Sequence, residues 1–574
     1  MKTLGKIMFI IACLLLCAAV FVACGGGKQA GTDDSGNGMT DEVGGQVNTP
    51  ALAVEDQEAV EDMIAVSYAV PDDIIGCDSF RIDVYHGENL ICSTEVEKDR
   101  TDAIIETTYG NLTFKLVGKT DEGDRVLVTD TARVWADEYN VASLNATFPV
   151  VYFTLDMFSM GEEETPGAFA EKQKLPIMAD VPTFISLERA DAYSWDKLPD
   201  NVHAYPNMTE EERIDGSFGL KNERVAAYIK ELYDINPEST FNFYCVDNYP
   251  ELILGFFTVQ GIPDESFHAT MISDGTGTAV IYKSIFEDAD SMTEYDKMVT
   301  EWERIKAKAA EGNTRFLDDA YNRYTDTYSI LATYPLVIAS VEDNVDWWCS
   351  RDLFTGNTKS EDIKGVVAKL KDDGKMKIFG INDMLSILYT EDQRALKELF
   401  HFDAEMFADA TEAGKKALVI IGSSPSAENG ELEGFVELLK KTYGDEYMLY
   451  YKGHPGYPVE LDSEKNAMFE RCGIKNLDAS IAAELIMFYC PDIYLVGWGS
   501  TTFKSVQQGK FLALFNFTEA EGKVYAEEQG YPDLPDMYFK TVTENGKTYI
   551  SVEYSDGDTV KYYDVAAGTI VDKT

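Results

Sequence analysis

Basic residues, histidine and closely spaced cysteines are what this 574-residue chain lacks. Only 49 Lys and Arg stand against 100 Asp and Glu, a formal net charge of −51. Such a surface repels nucleic acid and anionic lipid, which excludes a polyanion-binding role outside a local basic pocket. The five histidines and nine cysteines contain no CxxC and no HxxxH spacing, so no metal site is expected. Cys13, Cys17 and Cys24 lie in the N-terminal leader; Cys77 and Cys92 flank a hairpin-like stretch and could pair. Cys245, Cys349, Cys472 and Cys490 show no ligand pattern. Apolar material is not lacking. At 45% hydrophobic and 12% aromatic residues, the chain can fill buried cores, which excludes wholesale disorder. Its length corresponds to about three to four domains.

Residues 1–23 read as a secretory signal: Lys2 and Lys6, an apolar stretch from Ile7, then Phe21-Val22-Ala23-Cys24. The apolar run is at the lower limit for a membrane span. Cys24 is followed by three glycines and a Gly/Asp/Ser/Asn-rich stretch to Pro50, a flexible tether over 24–54. This resembles a bacterial lipoprotein lipobox. The resemblance implies acylation of Cys24 and an outward-facing, lipid-anchored place on the membrane of the bacterial cell envelope.

Beyond the tether, residues 55–147 alternate like half-buried strands, as in Phe80-Arg81-Ile82-Asp83-Val84 and Leu112-Thr113-Phe114-Lys115-Leu116. A small β-sandwich is expected there. From 148 the pattern changes. The continuous apolar run 150–155 reads as a buried parallel strand. Helix-like and strand-like segments then alternate: a helix near 220–233, strands at 241–244 and 267–272, and a charged helix over 293–310. A second α/β unit runs from 415 to 520, with strands at 416–421, 447–451, 492–496 and 511–517. Helices are expected between them at 430–443, 479–489 and 501–508. Residues 521–574 read as a β-rich extension with hairpin turns at Asn545-Gly546 and Asp556-Gly557. The expected architecture is α/β, with two Rossmann-like domains (148–414 and 415–520) facing a cleft behind the β-sandwich.

The chemistry-bearing residues cluster at strand ends. Tyr450-Tyr451-Lys452-Gly453-His454-Pro455 closes one strand, and Gly499-Ser500-Thr501-Thr502 follows another. Ligands of open α/β sheets bind at that carboxyl edge, and Ser and Thr at a helix start suit a phosphate. Glu484 falls in the helix between them. Asp274, in Ser273-Asp274-Gly275, follows the strand 267–272, where a carboxylate can act as general base. Taken singly, each has an ordinary reading as a turn, a cap or a solvated face; Ser555-Asp556-Gly557 repeats the tripeptide in the tail.

Taken together, Ser273-Asp274-Gly275, Lys452-Gly453-His454-Pro455, Glu484 and Ser500-Thr501 resemble, in order and spacing, the motifs of the bacterial sialyltransferases of glycosyltransferase family 80. Ala483-Glu484-Leu485-Ile486-Met487 and Pro491-Asp492 extend the match, which is densest over 417–517. Ser273 stands where the family has a first acid, and Thr501 where it has a serine. Gly422-Ser423-Ser424-Pro425-Ser426 lacks the family's aromatic, and the acceptor-loop histidine is missing from Asp247-Asn248-Tyr249. The resemblance implies a GT-B fold and an inverting transfer of sialic acid from CMP-sialic acid to a glycan hydroxyl, without metal or cofactor. Asp274 would be the base, and His454 would assist departure of CMP. Ser500 and Thr501 would hold its phosphate, Lys452 the cytosine and Glu484 the ribose; Pro455 ends the donor-site strand. The alternative is a non-catalytic glycan-binding surface lipoprotein or a decayed glycosyltransferase. A solute-binding lipoprotein with two α/β lobes is a third reading.

Overall fold

The structure, a computed structural model, describes residues 49–572 apart from 160–180, 190–192, 274–284, 287–290, 313–334, 350–357, 424–430, 556–559 and the single positions 72, 73, 75, 146, 250, 379, 389, 458, 460 and 461. Its strands run in three blocks. The first holds β1 (Ala51–Ala53), β2 (Gln57–Glu58), β3 (Met63–Ala69), β4 (Ser79–His86), β5 (Asn89–Val96), β6 (Asp102–Glu106), β7 (Gly110–Thr120) and β8 (Gly123–Trp135). They form a three-stranded sheet, β1-β3-β6, and a five-stranded sheet, β2-β8-β7-β4-β5. Alternation along β4 and β7 puts Ile82, Val84, Phe114 and Leu116 fully inside. Cys77 and Cys92 do not pair: both are free thiols, and Cys92 Sγ donates to the Glu106 carbonyl at 2.9 Å instead.

The second block is a seven-stranded, wholly parallel sheet. Its members are β9 (Glu138–Leu144), β10 (Thr183–Leu187), β11 (Val202–Ala204), β12 (Thr240–Val246), β13 (Phe267–Ile272), β14 (Val345–Cys349) and β15 (Met376–Ile378), in the order β11-β10-β9-β12-β13-β14-β15. Two expectations are corrected here. The segment 138–144 belongs at the centre of this sheet, not in the β-sandwich, so the break in architecture falls at 136–137 rather than at 147. Its parallel neighbours β10 and β12 cover both edges, and all its residues but Glu138 are buried. The run 150–155 is not a strand but part of an α-helix, Thr147–Ser159. Val150, Val151, Tyr152, Phe153, Thr154 and Leu155 are all buried. A helix sunk in the core has no polar face and shows no 3.6-residue period to read. Pro149 is tolerated because it sits in the first turn, where no intrahelical N–H bond is lost. Helices Phe218–Ile235 and Thr293–Ala310 lie where their patterns place them.

The third block is a nine-stranded sheet of β16 (Lys416–Ile421), β17 (Tyr447–Lys452), β18 (Lys475–Leu477), β19 (Tyr494–Gly497), β20 (Phe511–Phe515), β21 (Met537–Glu544), β22 (Lys547–Tyr554), β23 (Val560–Asp564) and β24 (Thr569–Asp572). Six parallel strands run β18-β17-β16-β19-β20-β21, the 3-2-1-4-5-6 order of a doubly wound sheet. The tail extends that same sheet antiparallel through β22, β23 and β24. Asn545 (φ 51°) and Gly546 (φ 76°) supply the two left-handed residues of the β21–β22 turn; Asp556-Gly557 lies outside the described residues. The order reverses between β16 and β19, the switch point where such sheets bind ligands. The helix Ala483–Tyr489 packs back onto the other lobe. Its Leu485, with Ala482, shares a core with Leu144, Tyr152 and Trp348, which fixes Glu484 at the boundary between the lobes.

Candidate functional site

Strand β17 delivers Lys452 to the carboxyl edge, and there its ammonium turns inward. The residue is 3% exposed, and Nζ donates to the carbonyls of Gly453 and Ala479, each at 2.8 Å. Burial pulls its pKa down to about 8, against the pull of the nearby Glu484 and Asp478 carboxylates. Glu484 is also buried, and burial raises its pKa; Lys452 and a contact from Thr502 Oγ1 to Oε1 at 3.5 Å oppose the rise. Lys452, Glu484 and Thr502 therefore form one buried polar network joining the ends of β17 and β19 and the helix between them. The sequence offered no role for Thr502.

The turn after β19 is held rigidly. At Gly497 (φ +148°) a Cβ would stand 2.3 Å from the Ile421 carbonyl oxygen, so β16 and β19 meet here only because no side chain intervenes. Ser500 accepts a bond from the Thr502 N–H at 3.3 Å. Its own N–H reaches the Tyr531 hydroxyl at 3.1 Å, which in turn donates to the Ser500 carbonyl at 2.8 Å. The helix expected over 501–508 is a 3-10 helix, Thr501–Ser505. So short a helix carries little macrodipole. An anion here would meet individual donors, among them the Ser500 hydroxyl, which keeps its own proton while accepting. The backbone of Thr501 opens this helix; its side chain lies outside the described residues. The helix expected over 479–489 begins at Ala483.

His454 lies in the tight loop after β17, bridged to Tyr457, with Pro455 between them and half-buried. The Gly456 N–H donates to His454 Nδ1 at 3.1 Å, which leaves the ring proton on Nε2. Burial, reinforced by the positive Arg189 and Lys452, lowers its pKa to about 4. At neutral pH the ring is an uncharged Nε2–H donor. Arg189 comes from the other lobe, two residues past β10. A Cβ built on Gly456 would lie 2.7 Å from Arg189 Nη2, so the two lobes bring a guanidinium and an imidazole to one place. Sequence reasoning missed Arg189. It follows an ordinary buried strand in Leu187-Glu188-Arg189, and only the fold sets it against a loop more than 260 positions away.

On the opposite lobe, β13 ends at Ile272, and Ser273 is buried with its N–H on the Trp348 carbonyl at 2.8 Å. Asp274 itself lies outside the described residues, as do Cys24 and 424–430. Asp247, one residue past β12, is buried and accepts from Trp347 Nε1 at 3.1 Å. Among the described residues no group of three or more His, Cys, Asp or Glu is placed to hold a metal ion, and no helix is long and apolar enough to cross a membrane.

No family model matches the chain, and no curated protein matches it. Solved structures similar to it include a Photobacterium 2,6-sialyltransferase in a ternary complex with the donor product CMP and the acceptor substrate lactose. That similarity spans 84% of this chain and 95% of that one, at 11% identity and a TM-score of 0.48. An alpha/beta-galactoside alpha-2,3-sialyltransferase from Photobacterium phosphoreum matches over 69% of this chain and 94% of its own, at 13% identity and a TM-score of 0.48. A UDP-GlcNAc 2-epimerase from Neisseria meningitidis covers 66% of this chain and 83% of its own, at 8% identity and a TM-score of 0.33.

Proposed function

We propose that the chain is an inverting sialyltransferase of GT-B type that moves sialic acid from CMP-sialic acid to a glycan hydroxyl without a metal. One observation carries the reading. Lys452, Glu484 and Thr502, apart in sequence but in the family's motif order, close a single network at the carboxyl edge of one doubly wound sheet, and Arg189 of the facing lobe stands against the His454 loop. A nucleotide lying along that edge meets Lys452 at its base end, with the ammonium already fixing two loop carbonyls. Glu484 accepts from the ribose hydroxyls. Ser500 and Thr501 face the phosphate.

The chemistry is one displacement. The acceptor oxygen attacks the anomeric carbon while the bond to the CMP phosphate oxygen breaks, its electron pair leaving with CMP. Asp274 takes the acceptor proton. His454 gives the departing oxygen a hydrogen bond from neutral Nε2–H, and the adjacent Arg189 charge meets the negative charge that develops. Preorganised donors of this kind contribute roughly 3–4 kcal/mol each in a water-poor cleft. An acylated Cys24 would hold the enzyme at the outer face of the envelope membrane. The test is CMP release from CMP-sialic acid by the mature chain, with and without glycan acceptor, in EDTA. Release that depends on acceptor supports transfer. No release with any glycan, alongside glycan binding, returns the protein to the non-catalytic glycan-binding reading.

A further inference from the structure

Away from the switch point, a cavity of about 510 Å³ opens between the β-sandwich and the first α/β lobe. The sandwich contributes Leu90 and Ile91 of β5 and Glu106 at the end of β6; the α/β lobe contributes Trp195, Glu210 and Arg213. Volumes of this order hold small organic ligands. The walls are fixed by bonds across the junction: Asn89 Nδ2 to the Pro206 carbonyl at 2.9 Å, Tyr228 OH to the Tyr109 carbonyl at 2.9 Å, and His203 Nε2 to Asp62 at 3.0 Å. The cavity is therefore preformed.

Arg213 is its unusual member. The guanidinium lies over the Trp195 ring, 4.4 Å from the centroid, which sets the plane of its N–H fork. Nη1 is buried and has no hydrogen-bond partner among the described residues. An orphaned guanidinium N–H is costly, and an acceptor supplied by a ligand recovers that cost. Glu106 and Glu210, both exposed at the rim, supply acceptors and no donors. A strongly anionic ligand would be repelled by these two carboxylates. A sugar ring is not: its hydroxyls each donate and accept, and its C–H face suits the exposed Leu90 and the neighbouring Ile91.

We propose that this junction cavity is a saccharide-binding site, distinct from the donor site and occupied independently of transfer. The test is titration of the mature full-length chain with lactose, maltose and chitobiose, followed by saturation-transfer NMR, with inorganic phosphate as the anionic control. Arg213→Met keeps an aliphatic stem on Trp195 and removes the N–H fork; Glu106→Gln changes only an exposed rim acceptor. At least one saccharide is expected to bind wild type, at least tenfold more weakly Arg213→Met and severalfold more weakly Glu106→Gln. Wild-type crystals soaked in that sugar should show it within hydrogen-bond distance of Arg213 Nη1. Binding of equal strength in wild type and both variants, failure of all three sugars to bind, or phosphate rather than sugar beside Arg213 overturns the proposal.

Discussion

Replacing Lys452 by methionine probes the buried network through the pH dependence of stability. Lys452 is almost wholly enclosed, and burial takes its pKa from 10.5 to about 8. Above that lowered value the folded state sheds the proton while the unfolded chain keeps it. The unfolded state thus binds more protons between pH 8 and 10.5, and stability must rise with pH over that window. The gap of 10.5 − 8 = 2.5 units, at about 1.4 kcal/mol per unit, makes the rise roughly 3 kcal/mol. Below pH 8 both states are protonated and the cost of burying the charge is present in full. A methionine side chain has no proton to lose, so this rise should vanish in Lys452→Met. That variant also leaves Glu484 without its cation, which pushes the carboxyl further towards its neutral form. The assay is urea unfolding at half-unit steps from pH 7 to 10.5, read as the difference between wild type and variant. Tyrosine titration is common to both and cancels. Parallel pH profiles would refute a buried, charge-bearing Lys452.

Other residues give independent checks. Gly497→Ala puts a methyl 2.3 Å from the Ile421 carbonyl oxygen at φ +148°, where the backbone cannot yield, and should cost about 2–4 kcal/mol in a denaturant melt. Gly456→Ala instead presses on the mobile end of Arg189; it should leave the melt within about 0.5 kcal/mol while lowering CMP affinity severalfold by calorimetry. The mature protein denatured without reductant should expose both Cys77 and Cys92 to iodoacetamide in mass spectrometry; a bridged 77–92 peptide would contradict the free thiols. Deleting 55–147 removes β9 from the centre of the seven-stranded sheet and should abolish soluble expression, whereas a separable module would leave a folded remainder by circular dichroism.

What could be read from the sequence follows from what each segment touches. The strands β16, β17, β19 and β20 were legible because parallel strands covered on both faces leave continuous apolar runs between turn residues. The same signal misled at 150–155, where a helix enclosed in the core is equally apolar all round. Residues 138–144 alternate in Tyr139 and Val141 much as the sandwich strands do, and nothing local marks the change of partner sheet. Thr501–Ser505 has helix-start residues but stops after one 3-10 turn, since tertiary clamping by Tyr531 rather than propensity sets its length. Of the site, Lys452, Glu484 and Ser500 were legible because strand ends and a motif order placed them. Arg189 and Thr502 were not, as their roles arise from neighbours distant in sequence.

Asp274 is the residue on which enzyme and binding protein part company. Asp274→Asn keeps the side chain's shape and removes its basicity. The direct measurement is CMP release from CMP-sialic acid with a glycan acceptor, alongside CMP binding by calorimetry. The account expects kcat to fall by about 10²–10⁴ with CMP affinity within a few-fold of wild type. Full transfer activity in Asp274→Asn, or a wild type that neither transfers nor hydrolyses CMP-sialic acid, would contradict it.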